Sequence, residues 1–238
     1  PALTVILRID PITAVGTTTL YAFLTKITAT LHHIKLKTID WGTSSRFLAG
    51  AVPANIITAL WVSHQGANAM FKDSLKTFIV YVVFFSVGMM IFNMISKVRP
   101  SLEKKEHSMA DRINGNAVVR NTLSILLGAV CGGLIGATSI GGGVLIVPIL
   151  IIIFGLPTSR TVGSAIFIAF ILTLATSLIY GVRGEQDLVT ATIMSVGSLS
   201  GVYYGSKLSV KMPDMILRII VLVLVLAAAV MMLCSQGN

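Results

Sequence analysis

Charge is scarce in this sequence. Only 11% of its 238 residues are charged while 55% are hydrophobic, and the mean hydropathy of +0.89 lies far outside the range of a water-soluble domain, where about a quarter of residues carry charge. Such a chain needs lipid as its solvent. Cysteine is nearly missing: Cys131 and Cys234 both fall in apolar stretches, which excludes a disulfide framework and leaves buried structural thiols. Enzyme signatures are missing as well. There is no His-Glu-x-x-His helix, no Gly-x-Ser-x-Gly elbow, no Cys-x-x-Cys, and no Gly-Lys-Ser phosphate loop. The expectation is a non-enzyme with no cofactor, no metal and no ATP-driven step. No cleavable leader is expected at this start, because Pro1 is followed by a short apolar run closed by Arg8 and Asp10 rather than by a basic start.

What is present is a series of long uncharged runs. Each approaches the roughly 20 residues that a helix needs to cross about 30 Å of hydrocarbon. The predicted spans are 12–33, 46–64, 76–96, 119–138, 160–182, 188–206 and 213–234. Val144 to Phe154 is too short to span and suits a broken or re-entrant segment. The formal net charge of +9 sits at span ends and in one loop, where anionic lipid heads and orientation rules account for it. No basic face with interleaved aromatics points to nucleic acid. The partners expected are the bilayer and a small anionic solute, with a homo-oligomer left open.

The chain repeats itself at an offset of 147 positions: Pro1 falls on Pro148, Val15-Gly16-Thr17 on Val162-Gly163-Ser164, Asp40 on Asp187, Thr43 on Thr190 and Gly50 on Gly197. Apolar residues match by chance in membrane helices, so the weight rests on Pro, Gly and Asp. The second copy carries a Gly-rich stretch before its aligned proline that the first copy lacks, so the first segment of repeat one is expected to be missing. The predicted organisation is a first transmembrane repeat over 1–96, a polar loop over 97–120 and a second repeat over 121–238.

Basic residues then test the topology. If residues 119–155 cross the membrane once, the Lys/Arg count divides 10 against 7; if they enter and return, it divides 13 against 4. The second division is the stronger bias. As one straight helix this stretch would reach about 55 Å, nearly twice the hydrocarbon thickness. A break near Gly141 to Gly143 is expected, with inverted halves and the 97–120 loop on the cytoplasmic side of an inner membrane. The fold class is an all-α polytopic bundle of two homologous, inverted repeats with a Gly-broken helix in the second.

Three consecutive glycines, with Ser139 before and Pro148 after, weaken a helix by about 1 kcal/mol per Gly and about 3 kcal/mol for Pro. One reading is a discontinuous helix whose freed amides and positive N-terminal end face an anion. Gly132, Gly133 and Gly136 instead suit close helix packing. Thr17, Thr18 and Ser164 would open a helix in each half, offering hydroxyls to a ligand or simply capping. Thr18, Tyr21, Thr25, Thr28 and His32 form a polar stripe at helical spacing that wants a cavity or another helix. Lys26 lies inside a span, where it either offsets substrate charge or bonds a carbonyl. His32 and His33 fit interfacial, solvated positions better than proton transfer. Asp40 and Asp187 fit helix starts.

The run Gly132 to Pro148, followed by Val162-Gly163-Ser164 and matched by Ala14-Val15-Gly16-Thr17-Thr18 in the first half, resembles the sulfite exporter TauE/SafE family of membrane transporters. The resemblance implies a duplicated transporter fold that moves small anions, sulfite and organosulfonates among them. The combined expectation is a secondary transporter working by alternating access, with Ser139, Gly141, Gly142, Gly143, Thr17, Thr18, Ser164 and Lys26 at its substrate site. A passive anion channel and a non-transporting assembly subunit are the alternatives.

Overall fold

The computed structural model describes residues 9–65, 115–138 and 142–209, with Leu3 and isolated positions between 74 and 91 and at 223 and 227. The described residues form six helices and no strand: α1 Pro11–Lys35, α2 Trp41–His64, α3 Ala117–Thr138, α4 Gly142–Ile152, α5 Thr158–Val182 and α6 Leu188–Ser209. Three of them, Trp41–His64, Ala117–Thr138 and Ser159–Val182, are long and apolar enough to cross a membrane. The described residues are thus all-helical, with the helices of an integral membrane protein. Most of the expected 76–96 and 213–234 spans, and of the loop between the repeats, lies outside the described residues.

Aspartates set the helix starts. Asp10 accepts from the Ile12 amide at 3.2 Å, with Pro11 pre-set for the first turn. Asp40 accepts from the Thr43 amide at 2.8 Å, and Asp187 from the Val189 and Thr190 amides at 3.0 and 3.1 Å. The turns that follow α1 and α5 use the left-handed region at matching repeat positions, Lys37 with φ 53° and Gly184 with φ 70°.

Helices α1 and α5 lie antiparallel. Their midpoints meet at Phe23 and Phe170, a repeat-related pair stacked with centroids 5.5 Å apart. The early turns of α1 reach the loop after α5: a Cβ on Gly16 would come 2.1 Å from the Glu185 carbonyl oxygen, and Thr17 Oγ1 accepts from the Asp187 amide at 2.9 Å. The early turns of α5 reach the loop after α1 in the same way. A Cβ on Gly163 would come 2.6 Å from the Thr38 carbonyl oxygen, and Ser164 Oγ accepts from the Asp40 amide at 2.9 Å.

Helices α2 and α3 run parallel along a seam of glycines. Cβ atoms on Gly128, Gly132 and Gly136 would meet the carbonyl oxygens of Phe47, Ala51 and Asn55 at 2.1, 2.1 and 2.5 Å. Gly50 returns the contact, 1.9 Å from the Ile125 oxygen. This small-residue seam lets the backbones approach more closely than any side chain allows. Gly132 and Gly136 therefore serve packing, as their spacing suggests, whereas Gly133 stands at an ordinary 3.6 Å from Thr58.

These contacts fix which termini share an end. One end holds the start of α1, the finish of α2 and α5 and the start of α6; the opposite end holds the start of α2, α3 and α5. Helix α4 reaches α5 through only five residues, so its C-terminus lies toward that second end, the end from which α3 departs. With 11 residues it covers about 16 Å, roughly half the hydrocarbon thickness. The core gathers Phe47, Cys131, Ile135, Ile146, Leu150, Ile168 and Leu172 from α2, α3, α4 and α5. Large apolar side chains such as Trp61, Leu126, Val130, Leu178 and Ile193 stay exposed on the outside, where lipid is the matching solvent.

Candidate functional site

Helix α3 is described as far as Thr138 and α4 from Gly142. Two side chains bond carbonyls in the last described turns of α3. The hydroxyl of Tyr180, fully buried on α5, donates to the Gly136 carbonyl at 3.4 Å, and Thr138 Oγ1 donates to Leu134 O at 2.6 Å. One turn earlier, the buried Asn55 of α2 donates to the Gly132 carbonyl at 3.2 Å and accepts from Thr176 Oγ1 of α5 at 2.8 Å. A polar cluster from three helices thus supports these turns of α3. Sequence reasoning missed it; an Asn inside a predicted span was the available signal.

Ser139 and Gly141 lie outside the described residues, and Gly142 and Gly143 form the first turn of α4. Lys26 is partly buried near the middle of α1, its Nζ 3.4 Å from the Ala22 carbonyl. That places the ammonium at the level of the Phe23–Phe170 pair. Thr18 turns its hydroxyl back onto its own helix, to Ala14 O at 2.7 Å and Val15 O at 3.0 Å.

Thr17 and Ser164 are not brought together. Each lies six residues from the Phe23–Phe170 pair on antiparallel helices, so they stand about 18 Å apart along the bundle at 1.5 Å per residue. Neither starts a helix: α1 begins at Pro11 and α5 at Thr158, so the amides at Thr17 and Ser164 are not the free terminal ones. Both side chains are fully buried and hold the amide of the opposite half's cap aspartate.

The polar stripe of α1 is answered partly by another helix. Tyr21 donates to Ser198 Oγ of α6 at 3.3 Å, while Thr25 bonds the Tyr21 and Ala22 carbonyls, both at 3.1 Å. His33 Nδ1 lies 2.8 Å from Thr38 Oγ1 at the foot of the same helix.

At the end that holds the α5–α6 loop, the Ser63 hydroxyl from the last turn of α2 donates to the Glu185 carboxylate. Gln186 Nε2 bonds the Ser177 carbonyl at 2.7 Å and its hydroxyl at 3.2 Å. Asp187 is held below the ordinary carboxylate range by the Thr190 hydroxyl and amide and by the Val189 amide. At the opposite end Arg160 approaches Asp40 at 3.9 Å.

Apolar spanning helices around a core that holds bonded polar side chains from three helices define an integral membrane protein. The comparisons sharpen this class. The family model for the sulfite exporter TauE/SafE family matches residues 1–232, and the chain belongs to that family. It is 30% identical over 215 residues to the probable membrane transporter protein YjnA of Bacillus subtilis, covering 87% of this chain and 79% of that one. It is 27% identical over 226 residues to the probable membrane transporter protein YunE of the same organism, covering 91% and 80%. No solved structure matches the chain.

Proposed function

We propose that this protein is a secondary transporter that moves a small anion, sulfite or a related organosulfur or organic acid anion, across the cytoplasmic membrane. It works by alternating access between two inverted halves, over 1–96 and 121–238. The carrying observation is the reciprocity of the α1–α5 junctions. Thr17 holds the Asp187 amide and Ser164 holds the Asp40 amide, and the sequence offset of 147 exchanges each member of one bond with a member of the other. Such mutual contacts belong to a two-fold relation. Because α1 and α5 are antiparallel, that axis runs across them and lies in the membrane plane, as in transporters built from inverted repeats.

Charge supports an orientation. Among the described residues, Lys35, Lys37, Arg46, Arg120 and Arg160 lie at the end where α2, α3 and α5 start, and Arg183 at the other. The positive-inside rule makes the first of these ends cytoplasmic, together with the 97–120 loop.

The substrate site in this reading is the break formed by Ser139, Gly141, Gly142 and Gly143, where the first turn of α4 presents free amides and a positive helix end to an anion. In this reading Lys26 offsets the anion's charge from the middle of α1, and Thr18, whose hydroxyl bonds its own helix, flanks the route through its backbone segment alone. Thr17 and Ser164 tie the halves together at opposite faces.

The test is uptake of radiolabelled sulfite, with a sulfonate in parallel, into proteoliposomes holding the full-length protein, wild type against Gly142→Leu. Saturable flux that the substitution removes while the protein stays folded supports the reading. Folded wild type that carries neither anion under any gradient refutes it.

A further inference from the structure

Four carboxylates lie among the described residues, and three have a structural task. Asp10, Asp40 and Asp187 cap the starts of α1, α2 and α6, bonding first-turn amides. The fourth, Glu185, caps nothing. Its side chain turns from the first turn of α6, whose amides Asp187 takes, to Ser63 in the last turn of α2. It stands three residues beyond the finish of α5. The finishing ends of both helices carry partial negative charge, the reverse of the ends that attract carboxylates.

The fold does not require an acid at this place. The repeat partner of Glu185 is Thr38, which makes the equivalent close approach, to Gly163, through its backbone oxygen. The repeat partner of Tyr180 is His33, which meets Thr38 at 2.8 Å. An uncharged residue thus serves the junction in one half, and the carboxyl of Glu185 is an addition in the other.

Its surroundings suit a group that gains and loses a proton. The Ser63 hydroxyl can donate to a carboxylate or accept from a carboxylic acid, so the contact survives in both states. Gly16 and Thr17 face the loop from α1, Ser63 with His64 beside it from α2, and Tyr180 from α5. The loop itself adds Arg183, Gln186 and Asp187, and Asp10 caps α1 at the same end. The Glu185 amide donates to the Tyr180 carbonyl at 2.9 Å, and the Tyr180 hydroxyl donates to the Gly136 carbonyl in the last described turns of α3. Tyr180 thus stands between Glu185 and the proposed anion site.

Given the transport reading above, on which this step rests, we propose that Glu185 binds the proton that drives the transport cycle. One carboxylate oxygen takes a proton from water at the end of the bundle where α5 finishes, the side chain becomes neutral while the junction to α2 rearranges, and the same O–H bond releases its proton toward the proposed anion site once that site opens to the opposite face. No other bond changes. Tyr180 is a positioning residue that links this event to α3.

The experiment uses the full-length protein in proteoliposomes and a simple radiolabelled alkylsulfonate, with sulfite in parallel. A sulfonate stays ionised across the working pH range, so any pH dependence of its transport belongs to the protein. For one proton per anion, a gradient of one pH unit drives about tenfold redistribution of the anion. Glu185→Gln keeps a partner for Ser63 and is expected to abolish this redistribution while exchange of labelled for unlabelled anion continues, which also shows that the variant is folded. Ser63→Ala is expected to shift the pH midpoint of transport without removing the coupling. Infrared difference spectra are expected to show a protonated carboxyl band in acid that Glu185→Gln removes.

Gradient-driven redistribution that persists in Glu185→Gln overturns the proposal, as does a wild type that exchanges anion but ignores the pH gradient. If wild type moves neither anion, the transport reading fails first, and loss of the infrared band still tests proton binding at Glu185 separately.

Discussion

At the end of the bundle where α5 starts, Ser164 holds the Asp40 amide, Arg160 stands 3.9 Å from the Asp40 carboxylate, and the buried Thr30 hydroxyl finds no partner among the described residues. At the end where α5 finishes, Thr17 holds the Asp187 amide, Thr190 bonds the Asp187 carboxylate, and Gln186 satisfies Ser177, the repeat counterpart of Thr30. The counterpart of Gln186 at the first of these ends is Ile39, which has no group to offer. The repeated backbone plan is thus finished with different side chains. One end closes through partly buried hydrogen bonds; the other adds to its Ser164 bond a pair whose arginine is 59% exposed, and surface pairs of that kind contribute at most about 1 kcal/mol. The end with Arg160 is the weaker closure.

The sharpest test of the shared plan is to fill both glycine contacts. Gly16→Ala would set a Cβ 2.1 Å from a backbone oxygen and Gly163→Ala one 2.6 Å from another. Each is expected to destabilise the protein by about 1–3 kcal/mol, Gly16→Ala the more, because neither oxygen can move without its loop. Gly133→Ala, with its nearest neighbour at 3.6 Å, is the control and should leave thermal unfolding in detergent unchanged. Equal and negligible effects at Gly16 and Gly163 would break the comparison.

Removing the hydroxyls that hold the cap amides comes next. Thr17→Val and Ser164→Ala each leave a partly buried N–H unpaired, at a cost of about 1–3 kcal/mol. A larger effect of Thr17→Val on unfolding would sharpen the distinction between the ends. A smaller but more discriminating pair is Thr30→Val and Ser177→Ala. The first removes a buried hydroxyl with no partner among the described residues and is expected to be neutral or to stabilise by about 1 kcal/mol; the second removes one of the two bonds of the Gln186 amide, leaving that to the Ser177 carbonyl, and destabilises by about the same amount. Opposite signs at repeat-related positions are what the asymmetry predicts, and like signs measured by the same unfolding assay would remove it.

Much of this architecture could be read directly. Uncharged runs of membrane length marked the described spans to within a few residues, apart from α2, which starts at Trp41 rather than 46. Asp40 and Asp187, each just ahead of an apolar run, marked two helix starts. Of the glycines assigned to close packing, Gly132 and Gly136 lie on the seam against α2, whereas Gly133 does not. The roles of Val15-Gly16-Thr17 and Val162-Gly163-Ser164 were misread, because these residues look like helix-opening chemistry although α1 and α5 start four or more residues earlier. In the fold these glycines admit a crossing backbone and the hydroxyls bond across to the other half, a demand that no local pattern encodes. The contacts of Asn55 with Thr176 and of Ser63 with Glu185 bridge 121 and 122 positions, and nothing in a single sequence pairs such distant polar residues. The candidate anion site remains a reading of its glycines, since Ser139 and Gly141 lie outside the described residues.

The smallest effect concerns the pH response of the better-bonded end. The Thr190 hydroxyl, ahead of the two amides, keeps the Asp187 carboxyl below its ordinary value in the folded protein. A carboxyl depressed in this way contributes stability that is fully present above the unfolded-state value and fades as pH falls through the lower folded value. Thr190→Val removes the leading cause while keeping the amides, so the Asp187 titration should move up toward the ordinary carboxylate range and the acid loss of stability should begin at higher pH. Asp187→Asn should remove this part of the acid response altogether, leaving only what the other carboxyls contribute. Unfolding temperatures measured from neutral pH down into the carboxylate range check both. If Thr190→Val follows the wild-type curve, the hydroxyl does not set the Asp187 titration, and the contrast between the two ends then rests on Gln186 and Ser177 alone.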